Sequence, residues 1–567
     1  MQGLKKYFPL FSRYLKQTSF INYRNCSANA FVPFYERFFQ YSNNVAVIDD
    51  KGSFKYGDIL CSSHLLAKQI EALLPNCKET CERIPFLCRS DSSYVSVLLA
   101  CWISGNIAVP LCSNHPPALL EYYLKDCQSK LVISDEYFAD SVKTLIANSN
   151  SHYLLANAVN ETSQEQQKNE LSNSNFFSWD TSYQERDALI VYTSGSTGPP
   201  KGVVLTHGNL FAQIFSVVKA WEITSRDSIL HALPLHHIHG IMNALLCPLN
   251  AGGTLVMLPK FNAKEVWKYF LSTDDKLPKV NFFCAVPTMY SKLLQESEEM
   301  PASECEKRKK LMGRMRLMSS GSAALPETVF YGWENITGHR LLERFGMSEI
   351  GMALANPLHG SRLPGTVGKI LPNVEVKIQC LDEKLGKECV LVQGNYENVN
   401  LHPNSEGKPG ELMIRGPNVF KKYWNKEKAT SESFTEDRWF KTGDTACYEN
   451  GYFKILGRTS VDIIKSGGYK ISGLQVESCL LMHPNVAECT VLGVPDDVWG
   501  ERVTAVIASK DGKEIPSDDL KEFCKKHLPA YAVPTITKYM KEIPRNIMGK
   551  VNKKQLRANL MESNQSL

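Results

Sequence analysis

The chain contains 567 residues with a formal net charge of +5, and 43% of its residues are hydrophobic. This composition suits a globular protein, and the length exceeds what one hydrophobic core supports, so we expect two or more domains. No run of 18 or more apolar residues occurs, which argues against a transmembrane helix and membrane insertion.

The first 35 residues contain five basic residues and no acidic one, and Glu36 is the first acid in the chain. Aromatic residues and leucines alternate with the basic residues at roughly helical spacing. This pattern is typical of a mitochondrial transit peptide, with a ragged basic terminus as the alternative. We predict a transit peptide over residues 1–28 and a location in the mitochondrial matrix. Without its five charges the net charge is zero, which gives no electrostatic reason to bind nucleic acid or an anionic membrane.

The 17 cysteines form no Cys-x-x-Cys pair. Several of them, including Cys88, Cys101 and Cys284, lie in apolar stretches where the side chain behaves as a small hydrophobe. This usage indicates a reducing compartment, and it predicts neither a zinc site nor a disulfide framework.

Short apolar runs alternate with helical patterns after the basic segment. The predicted strands cover 84–88, 107–111 and 130–134, with helices over 94–103 and 118–127 between them. This alternation predicts a parallel sheet covered by helices on both faces. Residues 149–183, rich in Asn, Ser and Gln, are interpreted as a surface insertion. Further strands are predicted downstream at 188–192, 253–258, 280–285 and 316–319.

From about residue 460 the pattern changes to shorter β-like runs at 488–493 and 502–509, followed by a lone helix at 517–527 and a basic tail. We therefore predict a large α/β domain over 29–458 and a small α+β domain over 459–567.

The segment from Val191 to Gly202 is the most informative in the chain. A predicted buried strand leads into a loop of hydroxyl residues and glycines that ends at a lysine, and an apolar helical pattern starts at Val203. Glycines let backbone N–H groups approach an anion closely, hydroxyls donate further hydrogen bonds, and the lysine adds charge. A flexible linker is the alternative, but linkers rarely join a strand to a helix inside a domain. We predict a phosphate-binding loop made of Thr193, Ser194, Gly195, Ser196, Thr197, Gly198 and Lys201.

This spacing fits neither the Walker A motif nor the dinucleotide-binding motif. It resembles the phosphate loop of the adenylate-forming superfamily of acyl-CoA synthetases, adenylation domains and luciferases. The resemblance implies an α/β protein with a large N-terminal adenylate-forming domain and a small mobile α+β C-terminal domain. It also implies ATP and CoA as substrates and Mg²⁺ as the metal. No Gly-Gly-x-Ser arm site is found, so we separately predict no carrier domain. A carboxylate would attack the α-phosphorus of ATP, and a thiol would then attack the acyl-adenylate.

A second motif, from Glu343 to Glu349, resembles the superfamily signature of an aromatic residue, glycine, any residue, Thr or Ser, and glutamate. The resemblance implies that Phe345 packs on adenine and that Glu349 holds Mg²⁺, although a lone surface carboxylate is the alternative for Glu349. The nucleotide contacts implied by the resemblance are Gly321, Ser322, Ala323, Phe345, Gly346, Met347 and Ser348.

Two further motifs follow in order. Thr442-Gly443-Asp444 resembles the superfamily segment whose aspartate binds the ribose hydroxyls, and Arg458 would support ribose or phosphate. The segment that ends at Gly549-Lys550 resembles the last motif, whose lysine binds carboxylate and α-phosphate oxygens. A pre-placed ammonium stabilises the approach of two anions in a water-poor site.

The stretch Lys465, Ser466, Gly467 and Gly468 resembles the segment that contacts the pantetheine arm of CoA after the small domain rotates. One residue more than usual separates Arg458 from this glycine pair. The hinge could therefore lie at Ser460, Val461 or Asp462.

The acid pocket of this superfamily lies beside the Leu233–Gly240 segment and the residues before the aromatic signature. Arg344 precedes Phe345, and a buried guanidinium predicts a bound anion because it is costly to desolvate alone. The alternative is that Arg344 turns outward into a salt bridge. His237 and Ser320 would add donors. Arg362 is a second candidate for a distal carboxylate, or it shapes the loop before Gly365.

Extended segments around 320–326, 343–368 and 457–465 resemble malonyl-CoA synthetases within the superfamily. The expected reaction converts malonate, and with it methylmalonate, to the CoA thioester, with Lys550, Thr193, Glu349 and His237 as the catalytic set. Three alternatives are a medium-chain fatty acyl-CoA synthetase, a peptide-synthetase-type adenylation unit and a non-catalytic binding protein. No Gly-Gly-x-Ser arm site accompanies Asp227-Ser228, which disfavours the second of these.

Overall fold

The computed structural model describes residues 33–156, 159, 181–193, 199–301, 305–382, 387–545 and 551–565. The predicted transit peptide and most of the predicted surface insertion lie outside these residues. The described residues form four β-sheets surrounded by helices. No helix among them is both long and apolar enough to cross a membrane.

A seven-stranded sheet contains the first predicted β-α-β units. Its central strands are parallel and almost fully buried, which explains why they appear in the sequence as continuous apolar segments. Helices Ser92–Ile103 and Pro117–Asp126 connect them as predicted. In sheet order the strands are Lys422–Tyr423, Lys201–Thr206, Asp187–Thr193, Ile107–Pro110, Arg83–Leu87, Leu131–Ser134 and His152–Leu155.

A nine-stranded sheet carries the next predicted strands. Its middle is parallel, whereas antiparallel strands close both edges. The fully buried Trp221, Trp267 and Trp333 belong to helices packed around it. In sheet order the strands are Lys369–Ile370, Gly351–Ala355, Leu342–Met347, Leu317–Ser320, Phe282–Ala285, Ser228–His231, Thr254–Met257, Val45–Asp49 and Gly52–Lys55.

A six-stranded antiparallel sheet follows, and it ends with the hairpin that carries Asp444 and Arg458. Its strands are Val399–Leu401, Lys387–Asn395, Glu375–Asp382, Gly410–Arg415, Phe440–Glu449 and Tyr452–Arg458.

A five-stranded sheet begins five residues further on and encloses a hydrophobic cluster of its own, which includes Val476, Val491 and Ala505. The helix predicted at 517–527 forms as Ser517–Lys525, but two further helices accompany the sheet, so the lone-helix prediction is wrong. The strands are Tyr469–Ser472, Ile463–Ser466, Gly500–Ser509, Val486–Asp496 and Ile536–Tyr539.

Several helices are capped at their N-terminus by a side chain. Asp91 accepts a hydrogen bond from the Ser93 backbone N–H at 2.8 Å, which starts the helix that follows. The α-helices are Glu36–Gln40, Tyr56–Leu73, Cys77–Thr80, Ser92–Ile103, Pro117–Asp126, Ala139–Ile146, His207–Trp221, Cys247–Asn250, Ala263–Leu271, Pro287–Glu298, Cys305–Met312, Glu327–Thr337, Glu427–Glu432, Gly473–Leu480, Ser517–Lys525 and Lys553–Gln565. A π-helix covers His239–Leu246, and 3₁₀ turns cover Glu136–Phe138, Thr181–Glu185 and Ala530–Ala532.

The helix predicted to start at Val203 begins four residues later. Lys201–Thr206 is a strand that pairs antiparallel with Asp187–Thr193, because its buried β-branched residues fit a sheet covered on both faces. Thr206 then caps the helix that starts at His207 by accepting from the Asn209 backbone N–H at 3.1 Å. The predicted phosphate loop therefore joins two strands rather than a strand and a helix.

Candidate active site

The ends of the predicted phosphate loop are fixed by this hairpin. Thr193 lies opposite Lys201 in the strand register, and the Thr193 hydroxyl approaches the Lys201 carbonyl oxygen at 3.4 Å. The loop residues Ser194, Gly195, Ser196, Thr197 and Gly198 lie outside the described residues. The hairpin nevertheless fixes where the first hydroxyl and the lysine of the loop lie.

Lys201 and Glu349 meet through a residue that the sequence analysis missed. Tyr423 donates from its hydroxyl to Glu349 Oε1 at 2.9 Å, and the Lys201 Nζ lies 4.9 Å from the centre of the Tyr423 ring. The strand Lys422–Tyr423 pairs with Lys201–Thr206, which places this ring between the two motifs. No local pattern marks Tyr423, because its partner Glu349 is 74 residues away in sequence.

Glu349 is buried, and burial raises the pKa of its carboxyl group. The Tyr423 hydroxyl, the Glu349 backbone N–H and the charges of Arg458 and Lys201 act in the opposite direction by stabilising the ionised form. A buried carboxylate held by one hydroxyl keeps an oxygen suited to a hard cation, so its chemistry fits Mg²⁺.

Asp444 and Arg458 form the next part of the site, opposite each other on a hairpin. The Arg458 Nε lies 3.2 Å from Asp444 Oδ1, and its Nη1 donates to the Thr442 carbonyl oxygen at 2.7 Å. Asp444 is buried, while the Arg458 side chain is half-exposed. The carboxylate is thus held in place by a guanidinium whose outer part can be reached from solvent.

The second motif forms a strand and a tight turn. Leu342–Met347 pairs with Gly351–Ala355, and Ser348 lies in the turn. A Cβ on Gly346 would lie 2.1 Å from the Gly351 carbonyl oxygen, so this close approach requires glycine. Phe345 and Met347 are partly buried, which leaves apolar surface beside the turn.

Ser320 is the last residue of the neighbouring strand Leu317–Ser320 and pairs with Glu343 in the register, and Gly321, Ser322 and Ala323 follow it. Ser320 is buried, whereas Ser322 and Ala323 are exposed. Because the carboxyl ends of these parallel strands meet at one edge of the sheet, the structure brings the second motif and this segment together.

Arg344 is buried in this edge. Its Nε and Nη2 have no hydrogen-bond partner among the described residues. Burial lowers its pKa to about 10, with the Cys284 thiol opposing the shift. A Cβ on Gly321 would lie 2.4 Å from Arg344 Nε, so the glycine makes room for the guanidinium. The outward salt bridge considered from the sequence is absent from the described part of the chain.

Glu343 does not neutralise Arg344, because consecutive residues of a strand point to opposite faces. Glu343 accepts instead from the Leu325 backbone N–H at 3.0 Å. Burial raises the pKa of Glu343 to about 8. The one carboxyl group next to Arg344 in sequence is therefore turned away from it and favours the neutral form.

Two histidines of the Leu233–Gly240 segment lie near this edge. The predicted His237 is partly buried, and its ring lies 4.2 Å from that of His236. The buried His239, which was not among the predicted residues, places its Nδ1 3.2 Å from the Ser322 hydroxyl. Burial lowers the pKa of His239, and the nearby charge of Arg344 lowers it further, so its imidazole is neutral.

Arg362 has a different environment. Its Nε, Nη1 and Nη2 donate to the backbone carbonyl oxygens of Pro357, Arg340 and Leu358 at 3.3, 2.6 and 2.9 Å. Its donors are directed at carbonyls of its own loop, which favours the loop-shaping role over the binding of a distal carboxylate.

The predicted CoA segment forms a hairpin in the five-stranded sheet. Lys465 and Ser466 end one strand, and Gly467 and Gly468 form the turn with φ values of +55° and +82°. Left-handed backbone at both positions favours glycine. The Gly467 backbone N–H donates to the Trp499 carbonyl oxygen at 2.9 Å.

Asp462 is the hinge candidate with the most contacts. It accepts from the Arg458 backbone N–H at 2.8 Å and from the Lys553 Nζ at 2.6 Å. Glu477 also pairs with Lys553, at 2.7 Å. Lys553 follows Lys550 by three residues, but Lys550 itself lies outside the described residues.

The fold and the motifs that it gathers define an enzyme of the adenylate-forming class. The chain belongs to the AMP-binding enzyme family: the family's sequence pattern matches residues 34–424, and that of its C-terminal domain matches residues 475–550.

Similar proteins are known from several sources. The chain is 46% identical to the mitochondrial malonate–CoA ligase ACSF3 of Xenopus laevis over 538 residues, which are 93% of this chain and 91% of that protein. ATP-bound MatB from Rhodopseudomonas palustris is 28% identical with a TM-score of 0.77, over 93% of this chain and 98% of that chain. A malonyl-CoA ligase with methylmalonyl-CoA and AMP bound is 28% identical with a TM-score of 0.59, over 89% of this chain and 97% of that chain.

Proposed function

We propose that this protein is an ATP-dependent acid–thiol ligase that converts malonate and CoA to malonyl-CoA, AMP and pyrophosphate through malonyl-AMP. Methylmalonate is the second proposed substrate. The observation that carries the proposal is Arg344, a buried guanidinium without a carboxylate partner in the described chain, at the edge where the nucleotide motifs converge. The relatives named as malonate–CoA ligases support the same substrate.

The acid would be bound at both ends. Arg344 would pair with the distal carboxylate, since a guanidinium fork suits a carboxylate and the bound anion would offset the cost of burying the charge. His237 and Ser320 would add hydrogen-bond donors. The neutral His239 also lies near Arg344, since the charge of Arg344 lowers the pKa of the His239 imidazole. A monocarboxylic acid would leave the guanidinium without a counter-charge.

The nucleotide would be bound by the loop from Thr193 to Lys201, by Gly321, Ser322 and Ala323, and by the segment Phe345–Ser348. Asp444 would accept from the ribose hydroxyls, with Arg458 holding the carboxylate in place. Glu349 would hold Mg²⁺, which supplies neutralising charge at the phosphates. Tyr423 and Lys201 favour the ionised form of Glu349 that this role requires.

Lys550 would stabilise the negative charge that builds up as the acid carboxylate attacks the α-phosphorus. The CoA thiol would then attack the acyl carbonyl, with Lys465, Ser466, Gly467 and Gly468 beside the pantetheine arm. We place the domain division at residue 458, where the six-stranded sheet ends, and the smaller domain at 459–567 would rotate between the two steps. Asp462 is the proposed hinge.

We place the protein in the mitochondrial matrix after removal of residues 1–28. The composition of this segment and the mitochondrial naming of the relatives support this location.

The proposal is tested by a panel of acids with purified protein, in which pyrophosphate release and CoA-thioester formation are measured together. We expect malonate and methylmalonate to turn over with both products, because each supplies a second carboxylate to Arg344. Since one methyl group discriminates by only about 1–3 kcal/mol, these two acids should differ modestly. Faster turnover of hexanoate or octanoate than of malonate would identify a fatty acyl-CoA synthetase instead. ATP binding without acid-dependent pyrophosphate release would identify a non-catalytic protein.

A further inference from the structure

A cysteine and two histidines converge in a place that none of the adenylate-forming motifs uses. The thiol of Cys112 and one ring nitrogen each of His115 and His236 all lie within 4.8 Å of one another. Cys112 and His115 follow the strand Ile107–Pro110, whereas His236 follows the strand Ser228–His231 of the other large sheet. The cluster therefore bridges two sheets.

The local backbone favours a ligand role for the first two residues. The His115 backbone N–H donates to the Cys112 carbonyl oxygen at 3.1 Å, and this turn brings residues of a Cys-x-x-His pair to one side. Backbone N–H groups of Asn114 and His115 also point to the Cys112 sulfur, where they lower the thiol pKa although burial raises it overall. Such N–H donors stabilise a thiolate in the way that outer-shell groups do at metal sites.

We propose that Cys112, His115 and His236 bind a borderline divalent transition-metal ion of the Zn²⁺ type. One thiolate and two imidazoles match the ligand preference of such ions, whereas Mg²⁺ and Ca²⁺ prefer oxygen. Binding would release the thiol proton to solvent and form a sulfur–metal bond in its place. Zinc–ligand distances of about 2.0–2.3 Å require the three atoms to approach to roughly 3.5 Å, which side-chain rotations can supply.

The prediction of no zinc site from cysteine spacing considered Cys-x-x-Cys pairs. The site proposed here differs from that pattern, because two of the three candidate ligands are histidines and His236 is 121 positions after His115 in the chain.

The metal would connect two parts of the nucleotide and acid region. His236 precedes the predicted substrate residue His237, and their rings lie 4.2 Å apart. On the other side, His115 contacts Tyr123, whose ring stacks at 4.3 Å on that of Tyr192, next to Thr193. A bound ion would thus link the start of the phosphate loop to the acid-side loop. This proposal does not depend on which acid is activated.

The alternative is that the three side chains merely pack together, since the His115 and His236 rings already contact edge-on at 5.6 Å. The two possibilities differ in a spectroscopic readout. Co²⁺ bound to a thiolate gives a sulfur-to-metal charge-transfer band in the near ultraviolet, and four-coordinate Co²⁺ gives intense visible bands. Neither band depends on enzyme activity.

The experiment titrates tag-free, metal-stripped full-length protein with Co²⁺ and then displaces the ion with Zn²⁺. We expect one equivalent to produce both bands and Zn²⁺ to abolish them. Cys112→Ser should lose the charge-transfer band, and His236→Phe should weaken binding by at least about tenfold. Cys447→Ser is the matched control, because Cys447 and Cys112 are both 5% exposed and Cys447 lies in a different sheet.

A second measurement covers the case in which one variant folds poorly. A molar excess of Zn²⁺ should raise the Tm of the wild-type and Cys447→Ser proteins, because a ligand that binds the native state stabilises it. The Tm of Cys112→Ser and His236→Phe should not change. Equal charge-transfer bands in wild type and Cys112→Ser, or no binding below millimolar Co²⁺, would overturn the proposal and leave the cluster as packing.

Discussion

Two buried cations of this chain have opposite surroundings. Arg344, in the large domain, is 5% exposed, and its Nε and Nη2 have no partner among the described residues. Lys553, in the C-terminal helix, has an 11% exposed side chain and is paired with Asp462 at 2.6 Å and Glu477 at 2.7 Å. One site holds a charge without a counter-charge, and the other holds a charge between two carboxylates.

The difference separates two uses of a buried charge. A buried cation without a partner makes the folded protein less stable, and in the proposed function an anionic ligand offsets this cost. A cation that is fully paired inside the protein fixes the surrounding backbone instead. Burial correspondingly lowers the pKa of Arg344, whereas Asp462 and Glu477 together raise that of Lys553 against the effect of burial.

The largest effect should come from Arg344→Leu. We expect kcat/KM for malonate to fall about 1,000-fold, or roughly 4 kcal/mol, because the distal carboxylate would lose its partner in a buried site. The affinity for ATP should be unchanged. Thermal stability should stay equal or rise, since the leucine removes an unpaired buried charge.

Arg316→Leu is the control for this prediction. Arg316 is a guanidinium already satisfied by Asp227, with Nε and Nη2 at 2.9 and 3.0 Å from its two oxygens. Its loss should reduce stability and leave the preference among acids intact. An equal loss of activity for every acid in Arg344→Leu would argue that Arg344 is structural as well.

Lys553→Met should have the largest effect on stability. It would leave two carboxylates buried without their cation, for which we expect a loss of about 3 kcal/mol in the free energy of unfolding of the C-terminal domain. Chemical denaturation followed by a probe in that domain measures it. The matched control is Lys279→Met, whose pair with Asp275 is exposed and screened by solvent, so its loss should have far less effect. Equal losses in the two variants would show that the Lys553 cluster is solvated.

The comparison also shows what the sequence could predict. The parallel strands near residues 84, 107 and 131 were predicted because apolar runs buried on both faces are distinctive. The apolar run at 203–206 was wrongly predicted to start a helix, because periodicity cannot distinguish a short buried strand from a helix. Arg344 became a candidate because of its own chemistry beside a known signature, and the structure shows it buried, with its Nε and Nη2 unpartnered among the described residues.

The sequence alone could not predict which residues far apart in the chain form hydrogen bonds with each other. Tyr423 is 74 residues from Glu349 in the sequence. The carbonyl oxygens that accept hydrogen bonds from Arg362 come together only when the loop folds. Arg362 and Arg344 are the same residue type, and the arrangement of backbone acceptors around each guanidinium distinguishes them. The proposed hinge residue Asp462 is a similar case, because its contact with Lys553 joins residues 91 positions apart.

A smaller effect, dependent on pH, should come from Glu343→Gln. Because burial raises the pKa of Glu343 to about 8, the folded state holds a proton that the unfolded chain has released above pH 4.5. The contribution of Glu343 to the free energy of unfolding is therefore fully present below pH 4.5 and is lost as the pH rises towards 8. Between pH 6 and 7.5 we expect the wild type to lose about 2 kcal/mol that the glutamine variant keeps. Parallel pH–stability curves for the two proteins would contradict this account.

The smallest effect should come from Tyr423→Phe, which keeps the ring beside Lys201 and removes the hydroxyl that binds Glu349. That hydroxyl lowers the pKa of the Glu349 carboxyl group, so its loss should raise this pKa further in the direction in which burial already shifts it. If ionised Glu349 holds the metal, the acid limb of the pH profile of kcat/KM for ATP should move to higher pH, and excess Mg²⁺ should partly reverse the shift. An unchanged acid limb with a lower rate at all pH values would mean that Tyr423 acts through packing and that another group controls the ionisation.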